Sequence, residues 1–563
     1  MILTLSLPLV TSAQASPLRS RLQFWGKFVQ RIWLPRMVCV CAAALGIGLI
    51  VSTYPVFNQT FDEPAHIAAG MQWLDLGQYT YEPMHPPIAR VFTAVGPYAA
   101  GAHSLGIPDM WLEGNAILGE NGKYQRNLTL ARMGILPFFV IACVAIWAAA
   151  SSWLGEWPAA ATLVLFASCP PVLAHSGLAT TDLASASMVF AALVCFRHAI
   201  TNPIWRTAMA AGLVSGLAVA TKFSAIPFLI VCGSAMTVHS LGQNRAWKRL
   251  LFVGVIMAVS MAAAIWGSYR FSVAPLGETP AGLRLVQDFT RHAGPLQGPL
   301  RLVAAHVPAR DFFRGLNELR MKVQAPLPSY LLGQTTLKGH WYFFLVALAV
   351  KTPLPLLVLC FVGFAYGVAA GLRGDNRAFF AVCGVVGPLL VAAGTHINLG
   401  VRHVLLVYPF MGLLAALAIC KLWQVKEHRL VYRCAIGALL LWQLVACLRA
   451  APDWLPYFNE LAAPHADRIL VDSDLDWGQD LRRLSTALKE LGVAQLTISY
   501  FGTANPSAMG LPRCYPLLPN QPAKGWVAIS ETNLKLHAES YAWLERYRPV
   551  RMIGHSIRLY YIP

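Results

Sequence analysis

The apolar positions of this chain fall in long unbroken runs separated by short polar turns. The runs have the length that crosses a lipid bilayer, roughly 20 residues each. Eleven such windows are present, near 37–56, 131–152, 157–175, 182–200, 205–220, 223–240, 250–269, 341–370, 378–396, 403–423 and 431–450. The pair 205–220 and 223–240 is short and interrupted by Lys222; read as one span, it would invert everything after it. Two stretches break the rhythm as long loops, 57–130 and 270–340, the second rich in proline, arginine and amphipathic segments.

After Ala451 the pattern changes. Arg468-Ile469-Leu470-Val471-Asp472 reads as a buried strand. Gln479 to Leu491 places Leu481, Leu484, Leu488 and Leu491 at helical spacing, and Gly492 ends the run. Strand-like runs follow at Gln495–Phe501 and Gly525–Ile529, then a helix near Tyr541–Arg546 and a last strand near Val550–Ile562. Alternating strands and helices predict a small α/β domain. The predicted fold class is thus a polytopic α-helical membrane protein of about eleven spans with a small C-terminal extracytoplasmic α/β domain. Its divisions are a basic cytoplasmic tail 1–36, a transmembrane domain 37–451 and the α/β domain 452–563.

Charge orients the spans. Arg19, Arg21, Lys27, Arg31 and Arg36 precede the first one and hold the N-terminus inside. The turns with Arg245, Lys248 and Arg249, with Arg373 and Arg377, and with Lys426, Arg429 and Arg433 then all fall inside, as the positive-inside rule requires. Both long loops and the tail fall outside. The expected location is the bacterial cytoplasmic (inner) membrane. Met1 to Ala15 resembles a signal peptide ending in Ala13-Gln14-Ala15, but without a positive n-region; the other reading is a loose cytoplasmic tail.

Composition agrees with the pattern: 56% hydrophobic, 12% charged, mean hydropathy +0.52. Soluble domains carry about 25% charged residues. The net charge of +18 is spread along the chain, so no nucleic-acid partner is predicted. Eleven of the twelve cysteines lie in or beside apolar runs and Cys514 has no obvious mate, so no disulfide framework is expected.

Candidate chemistry gathers in the first loop. Asp62 and Glu63 stand just past the first span, in Asn58-Gln59-Thr60-Phe61-Asp62-Glu63-Pro64-Ala65-His66. Carboxylates at a membrane boundary lose hydration and need a partner or a task. A second cluster, Tyr81-Glu82-Pro83-Met84-His85-Pro86-Pro87-Ile88-Ala89-Arg90, follows. Its paired prolines hold the backbone extended and fix Glu82, His85 and Arg90 relative to the membrane surface; by itself this is also a rigid turn leading into an interfacial helix.

Together the two clusters resemble the membrane glycosyltransferases that use polyprenyl-phosphate sugars, the protein O-mannosyltransferase family and the related aminoarabinose transferases. The resemblance continues through Gly216-Leu217-Ala218-Val219-Ala220-Thr221-Lys222, Lys351-Thr352-Pro353-Leu354-Pro355, Asn398-Leu399-Gly400-Val401-Arg402-His403 and Asp472-Ser473-Asp474-Leu475-Asp476-Trp477-Gly478-Gln479-Asp480. These look like a bacterial branch of phospholipid-carrier-dependent glycosyltransferases. Arg90 departs from the pattern, which more often has Lys there and so a different donor geometry. The resemblance implies a GT-C-type fold and a lipid-linked sugar donor. It also implies an acidic site residue at Asp182, which equally reads as the N-terminal residue of a span following Thr180-Thr181.

The chemistry of such a donor is simple. Its leaving group is a phosphate, so no general acid is required, unlike glycoside hydrolysis. One base to take the acceptor hydroxyl's proton suffices. Asp62 is the candidate base, and Glu63 would orient the acceptor or the carboxylate. A single displacement inverts the anomeric centre. The departing phosphate gains charge and needs cations. Lys222, Arg402 with His403, and Arg90 all fall on Asp62's side of the membrane in this topology. Each has a plainer reading: snorkelling for Lys222, a head-group contact for Arg402, a satisfied boundary histidine for His403. The acidic run Asp472–Asp480 reads as a solvated turn capping a helix, as a calcium site, or, through Trp477, as a surface on which an acceptor sugar stacks. His85, His103 and His175 show no tight ligand spacing, so neither metal nor cofactor is called for. The acceptor is a protein hydroxyl, a lipid-linked glycan or a cell-wall polymer. The rival readings are a transporter or flippase of lipid-linked saccharides, which would place ionisable groups near the bilayer midplane, and a non-catalytic scaffold.

Overall fold

The computed structural model describes residues 33–244, 247–278 and 304–563 and scattered positions between 279 and 303. The leader-like segment 1–15 and the basic residues Arg19 to Arg31 lie outside the described residues.

Among the described residues nine helices are long and apolar enough to cross a membrane: Leu34–Ser52, Tyr124–Leu154, Asp182–Thr201, Ala225–Gln243, Trp247–Ser268, Leu354–Leu372, Asn376–Ala393, Val407–Gln424 and Arg429–Arg449. A pair bent by 66°, Glu156–Ala167 with Pro170–Ser176, makes a tenth. The remaining window, 205–220, is a helix of 15 residues, Trp205–Val219, too short to span unaided. The run expected at 341–370 is divided: Phe343–Lys351 precedes the spanning helix, and Pro353 and Pro355 set the break.

Lys222 sits at a reversal, not inside one helix. Gly212 and Gly216 lie so close to Met257 and Met261 that a Cβ on them would stand 2.5 and 2.6 Å from those carbonyl oxygens. That register makes Trp205–Val219 and Trp247–Ser268 run in the same direction, so the chain turns twice between them. The two ends of the bundle therefore differ. At one end Arg197 lies over the Phe380 ring, and Gln243 bonds Gly374 and Asn376, gathering two of the three basic turns of the cytoplasmic prediction. At the other end lie Asp182, Lys222 and Arg402.

Proline sets where the first loop becomes helical. Pro64 and Pro87 occupy the first turns of Glu63–Leu76 and Pro87–Ala99, where a missing N–H costs nothing. Each places its acidic cluster at or just ahead of a helix N-terminus. The loop is thus folded, and its two helices pack closely: a Cβ on Gly70 would stand 2.0 Å from the Arg90 carbonyl oxygen. The second loop contributes the amphipathic helix Arg310–Gln324.

The C-terminal region carries a five-stranded mixed sheet. In spatial order the strands are Arg513–Pro516, Gln495–Ser499, Gly525–Ser530, Ile557–Ile562 and Arg551–Ile553, the first three parallel and the last two antiparallel additions. One hydrophobic cluster joins the sheet to Leu481, Leu484 and Leu488 of Leu481–Glu490; another joins it to Tyr541 and Leu544. Three local expectations are corrected. Arg468–Asp472 is a short helix, Ala466–Ile469, followed by a tight turn, because the segment packs into the helical core and pairs with no sheet strand. The strand Arg513–Pro516 was not anticipated, since two prolines flank or end it. The last strand is a hairpin turning at Gly554. Trp454, Leu470, Leu475 and Trp477 belong to the core of the helical domain, so the sheet module has its own core only from about Leu481 onward. All twelve cysteines are unpaired.

Candidate active site

A cavity of about 500 Å³ opens at the end of the bundle away from the basic turns. Its floor is polar: Asp62, Glu82, His66, His85, Lys222, Lys322, Arg402 and His403. Its walls are apolar, with Ile226, Pro227 and Phe228 on one side and Leu316, Leu319 and Val323 on another. Aromatic and sulfur side chains, Phe61, Met110 and Trp111, border it on the first-loop side.

Asp62 precedes Glu63–Leu76 but does not cap it; its carboxylate accepts from Arg402 Nη1 at 2.9 Å. Arg402 also stands 3.7 Å from Asp182, and Asp182 accepts from Lys222 Nζ at 2.5 Å. Four charges from four segments thus alternate in sign. Backbone hydrogen bonds fix the segments: Phe61 N–H donates to the Trp477 carbonyl, and Ile88 N–H donates to the Ala220 carbonyl. The second bond ties the His-Pro-Pro turn to the lysine turn. Burial opposes the Arg402 charge, but Asp62 and Asp182 outweigh it and hold the guanidinium above its usual range. His403 is the reverse case. Burial, then Lys222 and Arg402, keep it well below the usual imidazole range, and its Nε2 is buried without a partner.

The second cluster is centred on Glu82. Its carboxylate accepts from Arg90 and from His85 Nδ1 at 3.1 Å, with Lys322 3.8 Å away. Burial alone would raise its pKa; His85 and Arg90 more than offset this and hold it well below the carboxylate range. Burial lowers His85, against the opposing pull of Glu82.

Several sequence-predicted residues take other places. Glu63 is fully buried and does not reach the cavity. It pairs with Arg132 through Nε and Nη2, both at 2.8 Å, and accepts from the Thr60 and Ala179 N–H groups, so it braces the loop that carries Asp62 and cannot touch an acceptor. Arg90 is also fully buried, bonded to Glu82, Tyr79 and His66, so it does not reach a phosphate in the cavity. Asp182 lies behind the two cations and does not line the cavity. Trp477 is 1% exposed, not at the cavity mouth: it packs beneath Arg402, whose guanidinium carbon is 4.2 Å from the ring centroid. Asp474, Asp476 and Asp480 are buried as well and Asp472 is half-buried, so three of the four acids of the run are closed to solvent and to a sugar. Among the described residues no group of three or more His, Cys, Asp or Glu is placed to hold a metal ion.

Four residues were given no site role by sequence reasoning, although His66 and Lys351 stand in segments it singled out. His66 stands one helical turn after Asp62, and Arg132 is a lone charge entering an apolar run; both were visible signals. Lys322 lies on the amphipathic helix. Lys351, buried, donates to the carbonyls of Leu455 and Asp474 at 2.7 and 2.6 Å, and Asp474 in turn accepts from the Val401 N–H. That chain of bonds sets the turn carrying Arg402.

Fold and site define a polytopic α-helical membrane protein with a cavity, lined by an alternating set of acids and cations, at one end of its bundle. Within the chain, residues 126–266 match the family model described as dolichyl-phosphate-mannose-protein mannosyltransferase. That stretch holds Arg132, Asp182 and Lys222. No curated protein sequence matches the chain. Solved structures do: ArnT from Cupriavidus metallidurans bound to undecaprenyl phosphate (13% identity, TM-score 0.43, covering 92% of this chain and 97% of that one). The apo oligosaccharyltransferase of Archaeoglobus fulgidus matches at 14% identity, TM-score 0.49, covering 89% and 70%. AglB of the same organism, with an inhibitory peptide and a dolichol-phosphate, matches at 15%, 0.47, 92% and 73%.

Proposed function

We propose that this protein is an inverting glycosyltransferase. It moves a sugar from a polyprenyl-phosphate carrier to an acceptor hydroxyl at the extracytoplasmic face of a bacterial cytoplasmic membrane. The observation that carries the reading is one shared cavity: the Asp62 carboxylate meets Arg402 and stands with Lys222 around a space that also has apolar walls, among them Ile226, Phe228, Leu316 and Leu319. A lipid phosphate needs that combination, cations for its head and hydrocarbon for its tail.

In this reading the carrier phosphate displaces the aspartates from Arg402 and Lys222. Freed from its ion pair, Asp62 takes the proton of the acceptor hydroxyl as that oxygen attacks the anomeric carbon. The bond to the phosphate breaks, and Arg402 and Lys222 neutralise the charge that develops on it. Glu63 and Arg132 hold the loop, and Arg90 holds Glu82. A flippase reading is disfavoured because these groups gather at one end of the bundle and not at its middle.

The test is incubation of the purified protein with a panel of radiolabelled carrier-linked sugars and membrane extract, followed by identification of the labelled product. Asp62→Asn is expected to abolish transfer and keep carrier binding. Unchanged transfer in that variant excludes Asp62 as the base.

A further inference from the structure

His66 and His85 lie side by side on the cavity wall, ring centroids 5.2 Å apart. Each has one ring nitrogen committed to a neighbour, and the two commitments are opposite. His66 Nδ1 faces Arg90 Nε at 3.0 Å. Arginine has donors only, so this nitrogen must be the acceptor and carry no proton. A neutral His66 therefore carries its proton on Nε2, which makes no hydrogen bond among the described residues. His85 Nδ1 faces the Glu82 carboxylate at 3.1 Å. That carboxylate already accepts from Arg90, so it is ionised and accepts again. His85 Nδ1 must therefore donate, which leaves Nε2 of the neutral ring as an acceptor. The surroundings favour neutral rings: burial and Arg90 depress His66, and burial depresses His85. The other charged groups of the cavity are Lys222, Lys322, Asp62 and Arg402, with Asp182 behind the cations. The outcome is a donor and an acceptor presented together, in tautomers locked from behind by Arg90 and Glu82.

We infer that His66 and His85 form the hydroxyl-reading subsite of the donor sugar, His66 donating to one ring oxygen substituent and His85 accepting from a neighbouring hydroxyl. The inference rests on the glycosyl-transfer reading and deepens it by naming how the sugar is chosen. The phosphate cations are Lys222 and Arg402, a separate set, so the head and the sugar are recognised by different side chains. A site that presents one donor and one acceptor pairs fully with a sugar bearing hydroxyls at both places. It leaves a polar group unpaired with a deoxy analogue, which is the strongest form of discrimination. Arg90 and Glu82 are positioning residues in this scheme.

The test uses the full chain in lipid nanodiscs, with polyprenyl-phosphate hexoses, their monodeoxy analogues and bare polyprenyl phosphate as probes, and membrane extract as acceptor source. His66→Phe and His85→Phe are each expected to lower kcat/KM for the preferred donor about 10- to 100-fold. Each should also collapse the preference over one deoxy analogue and leave the affinity for bare polyprenyl phosphate unchanged. His66→Gln, which keeps a donor, is expected to recover most of the loss. Since His66 is buried, His85→Phe, at the more exposed ring, guards against a folding defect. Nitrogen-15 histidine spectra supply a readout independent of turnover, with the proton on Nε2 of His66 and on Nδ1 of His85. Unaltered sugar preference in both variants, reversed tautomers, or a parallel loss of bare-carrier affinity overturns the inference. Absence of transfer from every donor by the unmodified protein overturns the glycosyl reading itself, and the sugar assignment with it, even where the tautomers are as stated.

Discussion

Arg402 donates to Asp62 at 2.9 Å, across 340 positions of sequence, and with the same nitrogen stands 3.7 Å from Asp182. One guanidinium thus connects the proposed base to the acid that holds Lys222. A phosphate that took Arg402 would release the Asp62 carboxylate from its ion pair, as the role of base requires.

Arg402→Gln is expected to weaken binding of bare polyprenyl phosphate about 10- to 100-fold, the size of a lost hydrogen bond to a charged group. Asp62→Asn should leave that affinity unchanged or tighter, because it removes the competing anion. Titration of each variant in nanodiscs measures both. Equal weakening by the two substitutions would place the phosphate elsewhere.

Glu63 and Arg132 form a buried pair, so breaking it from one side leaves an uncompensated charge. Glu63→Gln or Arg132→Met should cost about 3–5 kcal/mol. The double replacement Glu63→Leu with Arg132→Met should recover much of this. Thermal unfolding in detergent gives the order. A Glu63→Gln protein of unaltered stability that lacks transfer would return Glu63 to the chemistry.

Lys351→Met leaves the Leu455 and Asp474 carbonyls without their shared donor, each an unsatisfied buried acceptor costing roughly 1–3 kcal/mol. Because Asp474 also anchors the Val401 N–H, hydrogen exchange is expected to rise in both 399–404 and 472–479. Exchange confined to the 472–479 side would separate this strut from the Arg402 turn.

Burial pushes the Asp476 carboxyl up to about 8, and Asp472 and Asp480 up to about 6. The folded state then holds protons that the unfolded chain has released above about pH 4, so the contribution of these three groups to stability falls as pH rises from about 4 through 8. The slope is at most about 1.4 kcal/mol per pH unit for each group. Below about pH 6.5 the buried neutral histidines His66, His85 and His403 act in the opposite sense, so the test compares variants at each pH: Asp476→Asn should gain stability relative to the unmodified protein as pH rises from about 5 to about 8. A difference between the two proteins that does not change with pH contradicts the assignment.

The helices were legible because hydropathy is local. Each of the eleven apolar windows holds a helix, although one is too short to span and one is bent. The prolines announced where helices begin. Less legible was the acidic run Asp472–Asp480. Its polarity argued for solvent, but its carboxylates find backbone donors, among them Val401 N–H for Asp474 and Thr532 N–H for Asp476, which sequence spacing does not reveal.

The sequence by itself determined that charged groups collect at helix ends and in the first loop, because a charge inside a bilayer is too costly to stand unpaired. It did not determine which of them face the cavity. Glu63 and Arg90 have the same local credentials as Asp62 and Glu82, yet the former two are buried and the latter two line the space. Only the tertiary structure decided this, because a side chain's partner is chosen by close packing between segments hundreds of residues apart, and no local pattern encodes that distance.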